Sequence, residues 1–310
     1  MITVIGSAVL DIVLKVNEEK FEKGEKIEVE DFEFSLGGGA LNASLTFKKL
    51  GLKPEVYFHL GKDFLGEIIK NKVKKLKLKT KIFYHKEATT FSLIILPPSK
   101  ERIIFVHRGK FSEFKINELK SVKINPYFYV TPGNTPSINF LKFFKKIRNK
   151  VEFIAINPSK KFLEEKLAKK TLSFTDFVFL NDEELRILNQ NFKKDILLLG
   201  KETLKEIKVK ALVVTLGEKG SLVFTENKIL KAGIFKPKKI VDKTGAGDAF
   251  ASAFFGKIVI EKEFNENILK EALLWGSANA SSVIQKLGAQ NGILNKNEYR
   301  LYKNLDVEEI

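Results

Sequence analysis

Short apolar runs alternate with stretches of helical spacing along most of this 310-residue chain. Ile2 to Gly6 is apolar and ends in glycine, the pattern of a first core strand. Residues 40–50 follow a triple glycine and predict a helix stopped by Gly51. Val56 to Leu60 predicts a strand, and 64–76 carries Leu65, Ile68, Ile69, Val73 and Leu76 at helical spacing. Strand-like runs at 127–130, 153–156 and 177–180 each precede a helical stretch, at 137–148, near 162–169 and at 182–188. A run at 212–215 precedes a hairpin-like run at 222–224. Strand alternating with helix predicts an α/β fold with a mostly parallel sheet covered on both faces.

Two regions break the pattern, at about 12–36 and 86–108. In the first, Ile27-Glu28-Val29-Glu30 alternates, and after Asp31 the alternation resumes out of phase as Phe32-Glu33-Phe34. That is a half-exposed strand with a bulge. In the second, 91–96 and 103–106 are two β runs. A small sheet with an apolar face does not stand alone in water. The two excursions are therefore predicted to pair into one small sheet, a lid over the ligand and a contact for a second copy. Residues 1–11, 37–85 and 109–310 form the predicted core. Residues 1–16 are expected to be one strand running into a turn.

Composition narrows the chemistry. There are no cysteines, which excludes disulfides, thiolate metal sites and cysteine nucleophiles. The histidines, at 59, 85 and 107, are not at metal-ligand spacing. No uncharged apolar run approaches a spanning length, so no membrane partner and a cytoplasmic location are expected. The net charge of +16 raises a nucleic-acid surface. The lysines, however, are mixed with glutamates along the chain, as between Lys70 and Lys81, which is the pattern of solvated helix faces. No nucleic-acid partner is expected.

The chemistry concentrates in Asp242-Lys243-Thr244-Gly245-Ala246-Gly247-Asp248, followed by the small apolar run Ala249 to Phe255. A glycine turn feeding a helix leaves backbone N–H groups unpaired beside the positive end of the dipole, which is an anion site. Asp248 adds a carboxylate there. It does not help to hold phosphate, and it makes sense as a base for a hydroxyl that attacks phosphorus. The alternative is a packing turn with an acid in the first helical turn.

Other stretches bear on the choice. Gly37-Gly38-Gly39-Ala40-Leu41-Asn42 opens a helix and brings an amide to it. Asp11 is an acid in an apolar run and needs partners. Asn181 and Glu184 stand at a strand's carboxyl end, spaced either to hold a hydrated magnesium ion or to cap the helix. Thr215-Leu216-Gly217-Glu218-Lys219-Gly220 is a strand-to-turn step suited to a nucleotide, or a plain turn. Asn279 lies among small residues that pack helices closely or leave room for a base. Arg108 is a surface arginine or a contact for a charged substrate.

In order and spacing these motifs resemble the ribokinase-like, pfkB-type carbohydrate kinase family. The resemblance runs through Gly6-Ser7 and Asp11, Gly-Gly-x-x-x-Asn at 37–42, Gly61-Lys62-Asp63 and Gly66. It continues through Asn181-x-x-Glu184, Gly217-x-x-Gly220, the Asp242–Asp248 motif and Gly288-Ala289. It implies a three-layer α/β sandwich with a β lid, and an ATP- and magnesium-dependent kinase of a sugar or nucleoside. Asp248 would be the base, and the amides of Gly245, Ala246 and Gly247 the anion hole. Asp11, Gly38, Gly39 and Asn42 would hold the acceptor, and Asn181 and Glu184 magnesium. Thr215, Gly217, Gly220 and Asn279 would line the nucleotide site, and Asp242 and Thr244 would build a potassium loop. The chain departs from ribokinases proper at Val9 and Gly39, where those carry asparagine and lysine, and ribose is disfavoured as acceptor. Kinases of sugar phosphates, sugar acids or vitamin-like alcohols are the rival enzymes. A non-catalytic nucleotide or nucleic-acid binder is the rival of another class.

Overall fold

The computed structural model describes residues 1–99, 102–109 and 113–310. In chain order the strands are β1 (Ile2–Gly6), β2 (Val9–Val16), β3 (Val29–Gly37), β4 (Pro54–Gly61), β5 (Lys79–His85), β6 (Phe91–Leu96) and β7 (Ile103–His107). They continue as β8 (Tyr127–Thr131), β9 (Phe153–Ile156), β10 (Phe177–Asn181), β11 (Ala211–Thr215), β12 (Ser221–Phe224), β13 (Ile229–Ala232) and β14 (Val307–Glu309). Among the described residues they form two sheets. The large one has the order β14-β13-β12-β11-β10-β9-β8-β1-β4-β5, and the small one β3-β2-β6-β7.

The large sheet is parallel from β5 to β11 and antiparallel from β11 to β14. Its central strands are apolar and buried on both faces, because helices cover both. On one face Phe47, Tyr129, Phe177, Phe254 and Phe255 interlock around the 246–261 helix. On the other, Phe140, Phe144, Phe162 and Ile147 are wholly buried. The helix Ala246–Glu261 is apolar all round because it lies between the sheet and the helices 39–49 and 266–283. Gly276 sits where a Cβ would press on the Phe250 ring. No helix of the described residues is long and apolar enough to cross a membrane.

The two sequence excursions meet in one sheet: β2 pairs antiparallel with β3 and parallel with β6, and β6 pairs antiparallel with β7. One face of this sheet carries Asp11, Val13, Ser35, Ser92, Ile94 and Leu96 toward the main body. The other face packs Leu10, Leu36 and Phe91 on the core at its base, while Phe32, Ile103 and Phe105 stand exposed at its tip.

Several expectations are corrected. Residues 1–16 are two strands rather than a strand and a turn, with Asp11 inside β2. The bulge falls opposite Lys15 and Val16, where Glu30 is the extra residue, one position before Asp31. The 162–169 helix is two short pieces, Lys160–Leu163 and Ala168–Leu172. Strands β5, β13 and β14 and the 196–207 helix are additional. In β5 the alternation of lysine with half-buried residues marks an edge strand, which carries little apolar signal.

Candidate active site

The site forms where the carboxyl ends of the parallel strands converge, at the reversal of strand order around β1. Gly6 ends β1 in register with Thr131, the last residue of β8. Asn181 ends β10 in register with Thr215, the last residue of β11. The helix 246–261 starts at this crevice. Its cap, Gly245, has φ 76°, and a Cβ there would lie 2.4 Å from that of Ala289. Only glycine fits such a left-handed position at this spacing. The first-turn N–H groups that follow are left without helical partners.

Asp248 stands in that first turn, half-buried. Its Oδ2 accepts from Asn42 Nδ2 at 2.9 Å and its Oδ1 from Asn157 Nδ2 at 3.1 Å. Asn42 Oδ1 in turn accepts from Gln290 Nε2 at 3.0 Å. Desolvation raises the pKa of Asp248 above the usual aspartate value, and the two amides, which favour the charged form, pull it partly back. The result is a carboxylate fixed in orientation and more basic than a surface one. Tyr129 lies wholly buried nearby, its hydroxyl close to the Asn157 side chain. Burial, with the charge of Asp248 second, holds that hydroxyl firmly protonated.

Three cavities lie along the 242–248 segment, and Asp248 itself lines the first. One of about 260 Å³ contains Asp248 with Asn157, Asn181, Glu184, Thr215, Gly245 and Gly247. A second of about 690 Å³ lies beyond Gly247 and is lined by Thr215, Gly217, Gly220, Phe235, Ala280 and Ile284, among others. A third of about 290 Å³ lies under the small sheet, with Asp11, Ser35, Arg102, Asp242 and Thr244 set in a wall of Val13, Ile94, Leu96, Ile240 and Leu287. Asp11 accepts from the Ser92 hydroxyl across the β2–β6 pair, and burial raises its pKa. Gly37 leaves room for it: a Cβ there would lie 2.2 Å from Asp11 Oδ2.

Most of the predicted residues gather here, with corrections. Gly38 and Gly39 are required by chain packing in any case: a Cβ on Gly38 would lie 2.5 Å from the Ser7 carbonyl oxygen, and one on Gly39 2.8 Å from Thr131 Cγ2. Asn279 does not line the large cavity. It is wholly buried and bonds the Ala249 carbonyl oxygen at 2.9 Å and the Leu294 N–H at 2.9 Å, so Ala280 and Ser281 face the cavity instead. Arg108 is exposed and lines none of these cavities; the arginine that does is Arg102. Asn181 and Glu184 form a reciprocal helix cap, Glu184 N to Asn181 Oδ1 at 2.7 Å and Asn181 N to Glu184 Oε2 at 2.8 Å. They border the Asp248 cavity as well, and burial, reinforced by the charge of Asp248, raises the pKa of Glu184. Asp242 and Thr244 bond each other, but the guanidinium of Arg102 faces their oxygens.

Four residues of the site were missed in the sequence: Asn157, Gln290, Ser92 and Arg102. A signal existed for Asn157, the polar residue directly after a parallel strand, and for Gln290, directly after Gly288-Ala289. None existed for Ser92 or Arg102, whose roles depend on sheet register.

The chain belongs to the pfkB family of carbohydrate kinases, whose family model, described as pfkB family carbohydrate kinase, matches residues 1–296. It is thus a phosphotransferase acting on a hydroxyl group. A nucleoside kinase of Methanocaldococcus jannaschii is 29% identical over 299 residues, which is 94% of this chain and 93% of that protein. A ribokinase of Staphylococcus aureus is 24% identical over 304 residues, covering 94% of this chain and 96% of its own. The structure of Arabidopsis thaliana ribokinase complexed with ribose and ATP matches the fold with TM-score 0.80 at 21% identity, over 97% of each chain.

Proposed function

We propose that this protein is an ATP-dependent kinase that transfers the γ-phosphoryl group to a hydroxyl of a nucleoside, with simple sugars as the wider acceptor class. The observation that carries this reading is the pairing of Asp248 with the Gly245–Gly247 turn: a base held by two amides in the first turn of a helix, on a small cavity it shares with Gly245 and Gly247, with the large cavity beginning at Ala246 and Gly247. The nucleotide lies in the large cavity along Thr215, Gly217 and Gly220. Its γ-phosphate meets the amides of Gly245, Ala246 and Gly247, which stabilise charge on the transferring oxygens. The acceptor lies under the small sheet, with Asp11 and Asn42 bonding hydroxyls, and Asp248 takes the proton of the attacking one.

A nucleoside is favoured over a bare sugar because the acceptor-side cavity is two-faced. Asp11 and Ser35 meet hydroxyls at one end, and Val13, Ile94, Leu96, Ile240 and Leu287 offer an apolar wall for a flat base. The 29% identity to a nucleoside kinase over nearly the whole chain supports the same choice.

Magnesium fits the donor set. Glu184 and Asp248 are carboxylates on one cavity, and burial makes each harder to keep charged without a cation. Asn181 and Glu184 would hold the hydrated ion, which supplies positive charge to the phosphates. Potassium does not fit Asp242 and Thr244, whose oxygens already face Arg102.

The test is a panel of nucleosides, sugars, sugar phosphates and sugar acids with ATP, followed by ADP release. A nucleoside should give the highest turnover, and excess chelator should abolish it. ADP release that no acceptor stimulates would overturn the reading.

Asn157→Ala gives a pH signature. The amide favours the ionised form of Asp248, so its loss raises that pKa further. The acidic limb of kcat/KM should move to higher pH than in the wild type. An unmoved limb would remove Asn157 from the account.

The small sheet closes over the acceptor in this reading and also carries the dimer contact. At its tip Phe32, Ile103 and Phe105 are 62%, 41% and 58% exposed, an apolar face on an open edge that a second copy would cover. Light scattering should report a dimer for the wild type and a shift toward monomer for Phe105→Lys. A monomeric wild type would refute the dimer and leave the closure untouched.

A further inference from the structure

A cation of the protein's own stands beside the anion-hole turn. Arg102 precedes β7 and so hangs from the small sheet, yet its Nη1 donates to Asp242 Oδ1 and to Thr244 Oγ1 in the main body. Asp242 is only 9% exposed. Its Oδ1 also accepts from the Thr244 N–H at 2.9 Å and hydroxyl at 2.7 Å, and its Oδ2 accepts from the Gly288 N–H at 3.0 Å. Every oxygen of this loop's side chains is therefore engaged within the chain. Asp11, across the same cavity, also acts on the guanidinium by its charge.

We infer that the Arg102 guanidinium takes the place of a monovalent cation in the Asp242–Thr244 loop, and that it ties the small sheet to the turn that carries Gly245–Gly247. The physical need is plain. A buried carboxylate without a partner is costly, and one that leads directly into a phosphate-binding turn must be neutralised if the turn is to hold its shape. A free ion would do this whatever the position of the small sheet. An arginine on the small sheet does it only when that sheet is seated. The phosphoryl-transfer turn is thereby completed by the element that covers the acceptor, which disfavours phosphoryl transfer to water. Arg102 is a positioning residue in this scheme, acting through Asp242 and Thr244.

The experiment compares potassium, sodium and tetramethylammonium chloride at equal ionic strength, with thermal unfolding and turnover as readouts. Only the turnover arm rests on the kinase reading. Unfolding needs no acceptor, so failure of the one is distinguishable from failure of the other. The wild-type unfolding midpoint should be the same in all three salts, and turnover should change by less than about fivefold, the lower end of ordinary coupling between sites. A wild type that potassium stabilises, or activates beyond that, overturns the inference. Arg102→Ala should lose turnover in tetramethylammonium and recover part of it in potassium. Its unfolding midpoint should rise with potassium concentration, as mass action requires of a newly opened site. An Arg102→Ala protein that matches the wild type in tetramethylammonium, or ignores potassium, overturns it too. Arg102→Lys keeps a cation and should stay indifferent to potassium. If the alanine variant does not fold, the wild type and Arg102→Lys decide, and a potassium response in either contradicts the assignment.

Discussion

Asp248→Asn is expected to fold, to bind ATP and to lose about 10²–10⁴ of turnover, the usual cost of removing a general base. The substitution keeps the size of the side chain and one acceptor oxygen, so one of the two amide donors, Asn42 Nδ2 or Asn157 Nδ2, keeps its bond while the other meets the new NH2 and loses it. What disappears is the proton acceptor. Stability separates this loss from damage to the fold. The folded pKa of Asp248 is raised, so its contribution to stability is greatest below the unfolded pKa and declines as pH rises through the folded one. At neutral pH the ionised group therefore costs stability, which offsets the amide bond that asparagine loses, and the variant should melt close to the wild type. Equal turnover in variant and wild type would remove Asp248 from catalysis.

The second large effect is expected at the turn. Gly245→Ala should lower turnover by about 10²–10³, the range for loss of an anion-hole donor. It should also lower the melting temperature. The residue has φ 76°, and the new Cβ would lie 2.4 Å from Ala289 Cβ and 2.9 Å from its Cα. Neither neighbour is the end of a flexible chain, so the turn must move, and its N–H groups move with it. Gly247→Ala is the matched control. A Cβ there meets nothing within 4 Å, so this variant should keep the wild-type melting temperature. Any loss of turnover in it then reports space needed by the phosphate. Equal melting of both variants would contradict this account of the turn.

What the sequence disclosed follows physical scale. Parallel core strands such as 153–156 announce themselves, because burial on both faces demands a continuous apolar run. The glycine turn and Asp248 were legible because a left-handed cap before a helix has few sequence solutions. Asn279 misled: small neighbours signal close helix packing as well as an open pocket, and here the amide turns inward to Ala249 and Leu294. The Gly38-Gly39 pair carries a signal of two origins, since close approach of Ser7 and Thr131 demands glycine as strongly as a ligand does. Arg102 was illegible. Its partners, Asp242 and Thr244, lie 140 and 142 residues away, and only the register of the small sheet brings them together.

Transfer of label from ATP carrying a labelled γ-phosphate tests the central claim most directly. With a nucleoside acceptor and magnesium, the label should appear in a phosphorylated nucleoside in step with ADP, and Asp248→Asn should slow both by the same factor. Label that appears only as inorganic phosphate, at the same rate with and without acceptor, would contradict it.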